Sequence, residues 1–282
     1  MEPPGRPPEI FDRSRRRAMR ERAARRTGDR FLWHYIAGEL AERLALVTRD
    51  FDNALIIGPM AGFANAIIAG RKCDLSFACL SPDEATGAVE AEEDRLPFEP
   101  HSFDLVIAAG TLDSVNDLPG ALVQIRRILK PDGLLLGHMF GAGSLSMLKS
   151  LMIMANGDAA RAHIHPQIDL RSAADLLSRA GFALPVADSD VVPVRYSDWR
   201  STVHDVRDAG VGNALAGPRV YMGKAWPERL DAAWHRQSND TGKLIEQFVH
   251  IFLSGWAPAP NQPKPAPRGS GTVSLTSVLP SA

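Results

Sequence analysis

His163 and His165 stand one residue apart, a spacing that in extended backbone puts both imidazoles on one side. Such a pair can supply half of an iron or zinc site, with Asp169 the nearest carboxylate. Loop packing accounts for the same two histidines, so no metal ligand is assigned. Asp113 and Asp117 follow the apolar run Phe103–Ala109, at the edge where open parallel sheets hold ligands. Asp113 can serve there as a base, whereas Asp117 equally suits a helix N-cap. Cys79 is either a reactive thiol or a small buried side chain. His138 lies inside an apolar run and reads as a hydrogen-bonded core or pocket-lining residue rather than a base. Arg268-Gly269-Ser270-Gly271 has the make-up of an anion-holding loop or of a plain turn. Gly58 and Gly62 follow Leu55-Ile56-Ile57, and glycines after a buried strand let the backbone pass close to a cofactor.

The elements that must position these residues alternate in type. Ala54–Gly58, Leu75–Leu80, Phe103–Ala109 and Leu134–Phe140 are short apolar runs bounded by turn residues, as in buried parallel strands. Between the last two, Leu118, Leu122, Ile125 and Leu129 recur at helical spacing, and Lys130-Pro131-Asp132-Gly133 stops the helix. Gly62–Gly70 and Ser172–Ala180 are further helices, and Phe31–Thr48 is an amphipathic one. Phe182–Val186 and Val191–Tyr196, split by Ala187-Asp188-Ser189-Asp190, read as a closing antiparallel pair. Arg200–Asp208, Pro227–Gln237 and Thr241–Leu253 follow a helical pattern, with Trp226, Trp234 and Trp256 as apolar anchors. Gly271–Leu275 is a candidate short strand. The expected class is α/β: a Rossmann-like, mostly parallel sheet with an antiparallel closing strand and a helical C-terminal elaboration.

The expected organisation is an N-terminal arm over 1–30, a sheet domain over 31–197, a helical elaboration over 198–256, and a linker and tail over 257–282. Charge is unevenly spread. Residues 1–30 hold ten arginines against five acids, and residues 83–104 hold eight acids against Arg95 alone. The arm reads as a solvated basic helix, or as one that docks on an acidic partner or a membrane surface. A net charge of −1 gives no global drive toward nucleic acid, and none is expected as a partner. Two cysteines, Cys73 and Cys79, exclude a disulfide scaffold. With no apolar run of membrane-spanning length and no secretory signal, the expectation is a cytoplasmic protein.

Several stretches together resemble one family. They are FDRSRRR at Phe11–Arg17, LPFEPHSFDLV at Leu96–Val106, VNDLPGAL at Val115–Leu122 and ILKPDGLLLGHMFG at Ile128–Gly141. HIHP at His163–Pro166, LLSRAGF at Leu176–Phe182 and RGSGTVSL at Arg268–Leu275 extend the likeness over nearly the whole chain. The family is that of the methyltransferase-like complex I assembly factors, among them a mitochondrial arginine hydroxylase. A more distant likeness is to biotin-pathway methyltransferases acting on malonyl-carrier protein. The resemblance implies a class I methyltransferase fold, S-adenosylmethionine as cofactor, and an iron–sulfur subunit of respiratory complex I as partner. It implies Gly58, Met60, Gly62, Cys79, Glu92 and Gly110 as the positions lining the cofactor.

At those positions this chain departs from the family's wording. Ile56 stands for the usual acid, Met60 for the middle glycine, and Cys79 for the carboxylate that accepts the ribose hydroxyls. Losing a charge-assisted pair costs about 1.5–3 kcal/mol, or roughly 10- to 150-fold in affinity. Ser81–Glu90 is too short for a full helix and third strand, so the adenosine side reads as trimmed, with Glu92 or Asp94 left to meet the adenine. Asp113-Ser114 replaces the His-Trp of relatives. The expectation is an assembly factor with an eroded, non-catalytic or cofactor-independent site. The alternative is an active methyltransferase or arginine hydroxylase acting on a protein side chain or a carrier-bound substrate.

Overall fold

The computed structural model describes residues 9–80, 87–157, 163–218 and 222–262. Seven strands form one sheet: β1 (Asn53–Ile57), β2 (Asp74–Cys79), β3 (Val89–Glu90), β4 (Phe103–Ala109), β5 (Leu129–Phe140), β6 (Ala183–Tyr196) and β7 (Leu244–Trp256). Their order is β3-β2-β1-β4-β5-β7-β6. The pairs among β1 to β5 are parallel, and β7 runs antiparallel to both β5 and β6. This is the expected Rossmann-like architecture.

Period-two alternation in the central strands divides the core between the two faces of the sheet. Ile56, Leu105, Ile107 and Leu136 pack with α2 (Phe31–Ala45), α5 (Ser146–Asn156) and α8 (Trp226–Gln237). Leu55, Ile57, Val106 and Leu135 pack with α4 (Leu118–Ile128) and α6 (Leu170–Arg179). Both faces are covered, which is why β4 is buried along its whole length. The remaining helices are α1 (Arg13–Ala24), α3 (Ala64–Ile68) and α7 (Trp199–Asp208). Asp117 caps α4 by accepting the Gly120 N–H at 2.8 Å, one of its two expected roles.

Three elements differ from the sequence reading. Thr241–Leu253 is not a helix: from Leu244 it is β7, inserted between β5 and β6. Its apolar residues fit a helical template, but Phe248, Val249, Ile251 and Phe252 are aromatic and β-branched, and the strand lies deep in the sheet. The helical elaboration is therefore α7 and α8, carried between β6 and β7. Ala187–Asp190 does not turn; it continues β6, an edge strand whose Asp188 and Asp190 are held by Arg43 at 2.8 Å and by the Tyr35 hydroxyl. A third strand does follow β2, two residues long, with Cys79 paired to Glu90. The candidate strand at Gly271–Leu275 and the loop at Arg268 lie outside the described residues.

Candidate functional site

The site forms at the C-terminal ends of β1, β2 and β4. Gly58 turns the chain out of β1 with φ +104°, and a Cβ there would lie 2.7 Å from the Ala109 carbonyl oxygen. Only glycine accommodates both constraints. Gly110, leaving β4 with φ +63°, meets the Trp33 ring; an added Cβ would sit 2.2 Å from it. Gly62 has open space where its side chain would be. Gly58, Gly62 and Cys79 line a cavity of about 250 Å³ together with Trp33, Thr111 and Asp208. Met60 is elsewhere: its side chain is fully buried in the core beside α2 and is not part of that lining.

The basic arm supplies one wall. Arg20, Ala23 and Ala24 of α1 line the same cavity. Asp12 starts this helix by accepting the Arg15 N–H at 2.9 Å. Arg16, only 4% exposed, donates from its two terminal nitrogens to Glu93, itself 2% exposed, at 2.7 and 2.8 Å. The same guanidinium donates to Ser114 Oγ at 2.9 Å, to the Thr111 carbonyl at 2.7 Å and to Thr111 Oγ1 at 2.8 Å. A planar fork paired with a carboxylate and satisfied at every nitrogen is the geometry in which a buried ion pair persists. Burial pushes the Glu93 carboxyl up, yet the Arg16 charge and the hydrogen bonds from Arg16 and Thr111 outweigh it and hold the carboxyl below its ordinary range. Arg20 is lowered to about 10 by burial and by the Arg16 charge, against the pull of Asp113 and Glu93.

The acidic run is thus met by the arm of its own chain. Arg13 grips Asp94 at 2.9 and 3.3 Å and pairs with Glu92, and Arg17 pairs with Glu90. Glu92 stands against Arg13 rather than in the lining of the 250 Å³ cavity. Asp208 of α7, 3% exposed, is the carboxylate that the sequence did not reveal; it holds Arg26 and, at 3.1 Å, His204. Among the described residues His204, Asp205 and Asp208 have metal-ligand spacing, but the Arg26 guanidinium already occupies Asp208. His163 and His165 do not form such a group. His163 is hydrogen-bonded to Asn156 at 2.7 Å, and His165 packs edge-on against Phe11.

A larger pocket, about 510 Å³, opens on the other side of α1, between α5 and α7. Phe140, Leu148, Met152, Val206 and Phe248 contribute apolar surface, and Asp113, His163 and His165 face it as well. Near its floor, His138 of β5 and His250 of β7 are both fully buried, with ring nitrogens 2.9 Å apart. Burial lowers both imidazoles, His250 to about 4. His138 is therefore the core histidine expected of it. Glu246 of β7 is also fully buried and accepts the Met147 and Leu148 N–H groups at 3.1 and 2.8 Å, capping α5 from across the fold.

The profile of a methyltransferase-domain family matches residues 70–137. The mitochondrial arginine-hydroxylase NDUFAF5 of Rattus norvegicus is 31% identical, over 94% of this chain and 82% of its own length. A malonyl-[acyl-carrier protein] O-methyltransferase of Laribacter hongkongensis is 29% identical, over 88% of this chain and 90% of its own. The crystal structure of the YcgJ protein from Bacillus subtilis has the same fold, with a TM-score of 0.53 at 15% identity, covering 80% of this chain and 99% of that one. The cytoplasmic expectation is corrected by these findings: the rat and human relatives are mitochondrial proteins. Scarcity of cysteine does not distinguish one compartment from another.

Proposed function

The chain belongs to the family of the arginine-hydroxylase NDUFAF5, and from that premise we propose that it is an assembly factor of respiratory complex I built on a methyltransferase scaffold that does not use S-adenosylmethionine. Its proposed partner is an iron–sulfur subunit of that complex. The observation that carries the cofactor-independent reading is the Arg16–Glu93 pair, which fixes α1 against the cofactor cleft and takes up the acidic run for the chain's own use. The residues present fit S-adenosylmethionine poorly. The end of β2 offers the Cys79 thiol where the ribose needs a carboxylate, and Asp208, the one acid in the described lining, is committed to Arg26. A volume of about 250 Å³ also lies under the roughly 300–1,000 Å³ of small-molecule pockets.

A second reading, an active methyltransferase or arginine hydroxylase, draws support from the glycine loop. Gly58 and Gly62 keep the backbone approach to the cavity clear. Calorimetry separates the two. Titration with S-adenosylmethionine to 1 mM should give no heat and no thermal shift; micromolar binding would establish the second reading instead. In parallel, deletion of the gene should lower assembled complex I, and the Cys79→Ala variant should restore it as well as the unaltered gene. Unchanged complex I in the deletion strain would remove the assembly role.

A further inference from the structure

Arg22 of α1 and Arg207 of α7 stand at the mouth of the 510 Å³ pocket, and both also line an adjoining cavity of about 470 Å³. Among the described residues, neither side chain forms a hydrogen bond or ion pair. That sets them apart from Arg13, Arg16, Arg17 and Arg26 of the same arm, each of which meets a carboxylate. Two guanidinium groups on one rim without a counter-charge repel each other, and an anion seated between them relieves the repulsion. Inside the pocket, Phe140, Leu148, Met152, Val206 and Phe248 offer apolar surface. A second observation points to a ligand in the same place. His165 lines the pocket, is 8% exposed, and its buried Nδ1 has no hydrogen-bond partner. A buried polar atom left unpaired is costly, and a ligand that reaches it removes the cost. Asp113 also lines the pocket with a buried Oδ1 that has no hydrogen-bond partner; Arg20 attracts it only through space, so the anion's head is placed at the Arg22–Arg207 rim, away from that carboxylate.

We propose that this pocket binds a carboxylate carried on an apolar body, the head held by Arg22 and Arg207 with an oxygen accepting from His165 Nδ1, and the body lying on the floor between α5 and α7. The chemistry is that of a medium-chain aliphatic acid, and it is independent of whether the smaller cavity takes a nucleoside. The volume suits such a molecule, since small-molecule sites span roughly 300–1,000 Å³.

Calorimetry on the full chain with three probes tests this: decanoate, 1-decanol as the body without the charge, and acetate as the charge without the body. Decanoate should bind at least about 10-fold more tightly than decanol, the magnitude of a charge-assisted hydrogen bond, and acetate should give no heat. Arg22→Gln with Arg207→Gln should weaken decanoate about 10-fold or more and leave decanol unchanged. Both arginines are exposed, so the fold should survive, which a matching urea midpoint verifies. Equal affinity for decanoate and decanol, no decanoate binding, or decanoate binding indifferent to the double variant would each overturn the proposal.

Discussion

Burial decides the protonation of the two histidines that face each other across β5 and β7. His250 falls to about 4 because desolvation penalises its cation more than Asp190 supports it, and His138 is lowered well below its usual value. An unfolded histidine titrates near 6.5. Between pH 6.5 and about 4 the unfolded chain takes up protons that the folded pair refuses, so stability is full above this window and lost as pH falls through it. For His250 alone the loss is on the order of 3 kcal/mol. The urea midpoint should therefore drop across that range, and His138→Phe with His250→Phe should flatten the drop. An unchanged pH slope in the double variant would assign the acid sensitivity to other groups. The sequence marked His138 as a core residue from its apolar neighbours. His250 escaped notice because its stretch looked helical, which hid the fact that, paired with Phe140, its ring reaches His138 on the diagonal.

At the scale of elements, α1 is the least foreseeable part of the site. Its positive charge and the negative charge of the Glu90–Asp94 run were both legible, but as separate features. Glu93 lies 77 residues from Arg16, and charge counts carry no information about which distant segments meet. The buried pair makes the docking testable. Arg16→Met leaves Glu93 buried without a partner and should cost about 3–5 kcal/mol in urea unfolding. Arg16→Met with Glu93→Leu removes both charges and should recover most of that loss; a double variant as unstable as the single one would mean that the pair is not what anchors α1. Glu93 adds its own acid sensitivity. Its folded carboxyl titrates below the ordinary value, so its contribution is present above about pH 4.3 and is lost progressively as pH falls from there, beginning at the lower edge of the histidine window.

For the molecule as a whole, the parallel half apart from β3 was readable because β1, β2, β4 and β5 each carry a short apolar run, and local pattern suffices there, whereas the two exposed residues of β3 carry no such signal. The far half was not, because β7 owes its state to its neighbours rather than to its own periodicity. It is hydrogen-bonded on both sides, from Leu134↔Trp256 to Phe140↔His250 with β5 and from Ala183↔Trp256 to Tyr196↔Leu244 with β6. Its Glu246 also caps α5. A chain ending at Lys243 should therefore lack a cooperative unfolding transition, since β6 loses the one strand it pairs with among the described residues and α5 loses its cap. A sharp transition in that truncated chain would show that β1 to β5 fold without the closing strands.

The position of β7 also bears on how the chain is made. Synthesis runs from β5 through α5, α6, β6, α7 and α8 before the strand that joins β5 to β6 exists, so the nascent protein carries a long, apolar, unpaired edge on β5. Until β7 has emerged, the growing chain presents a template for pairing with other chains, and a holdase able to cover that edge is the kind of helper its biogenesis calls for.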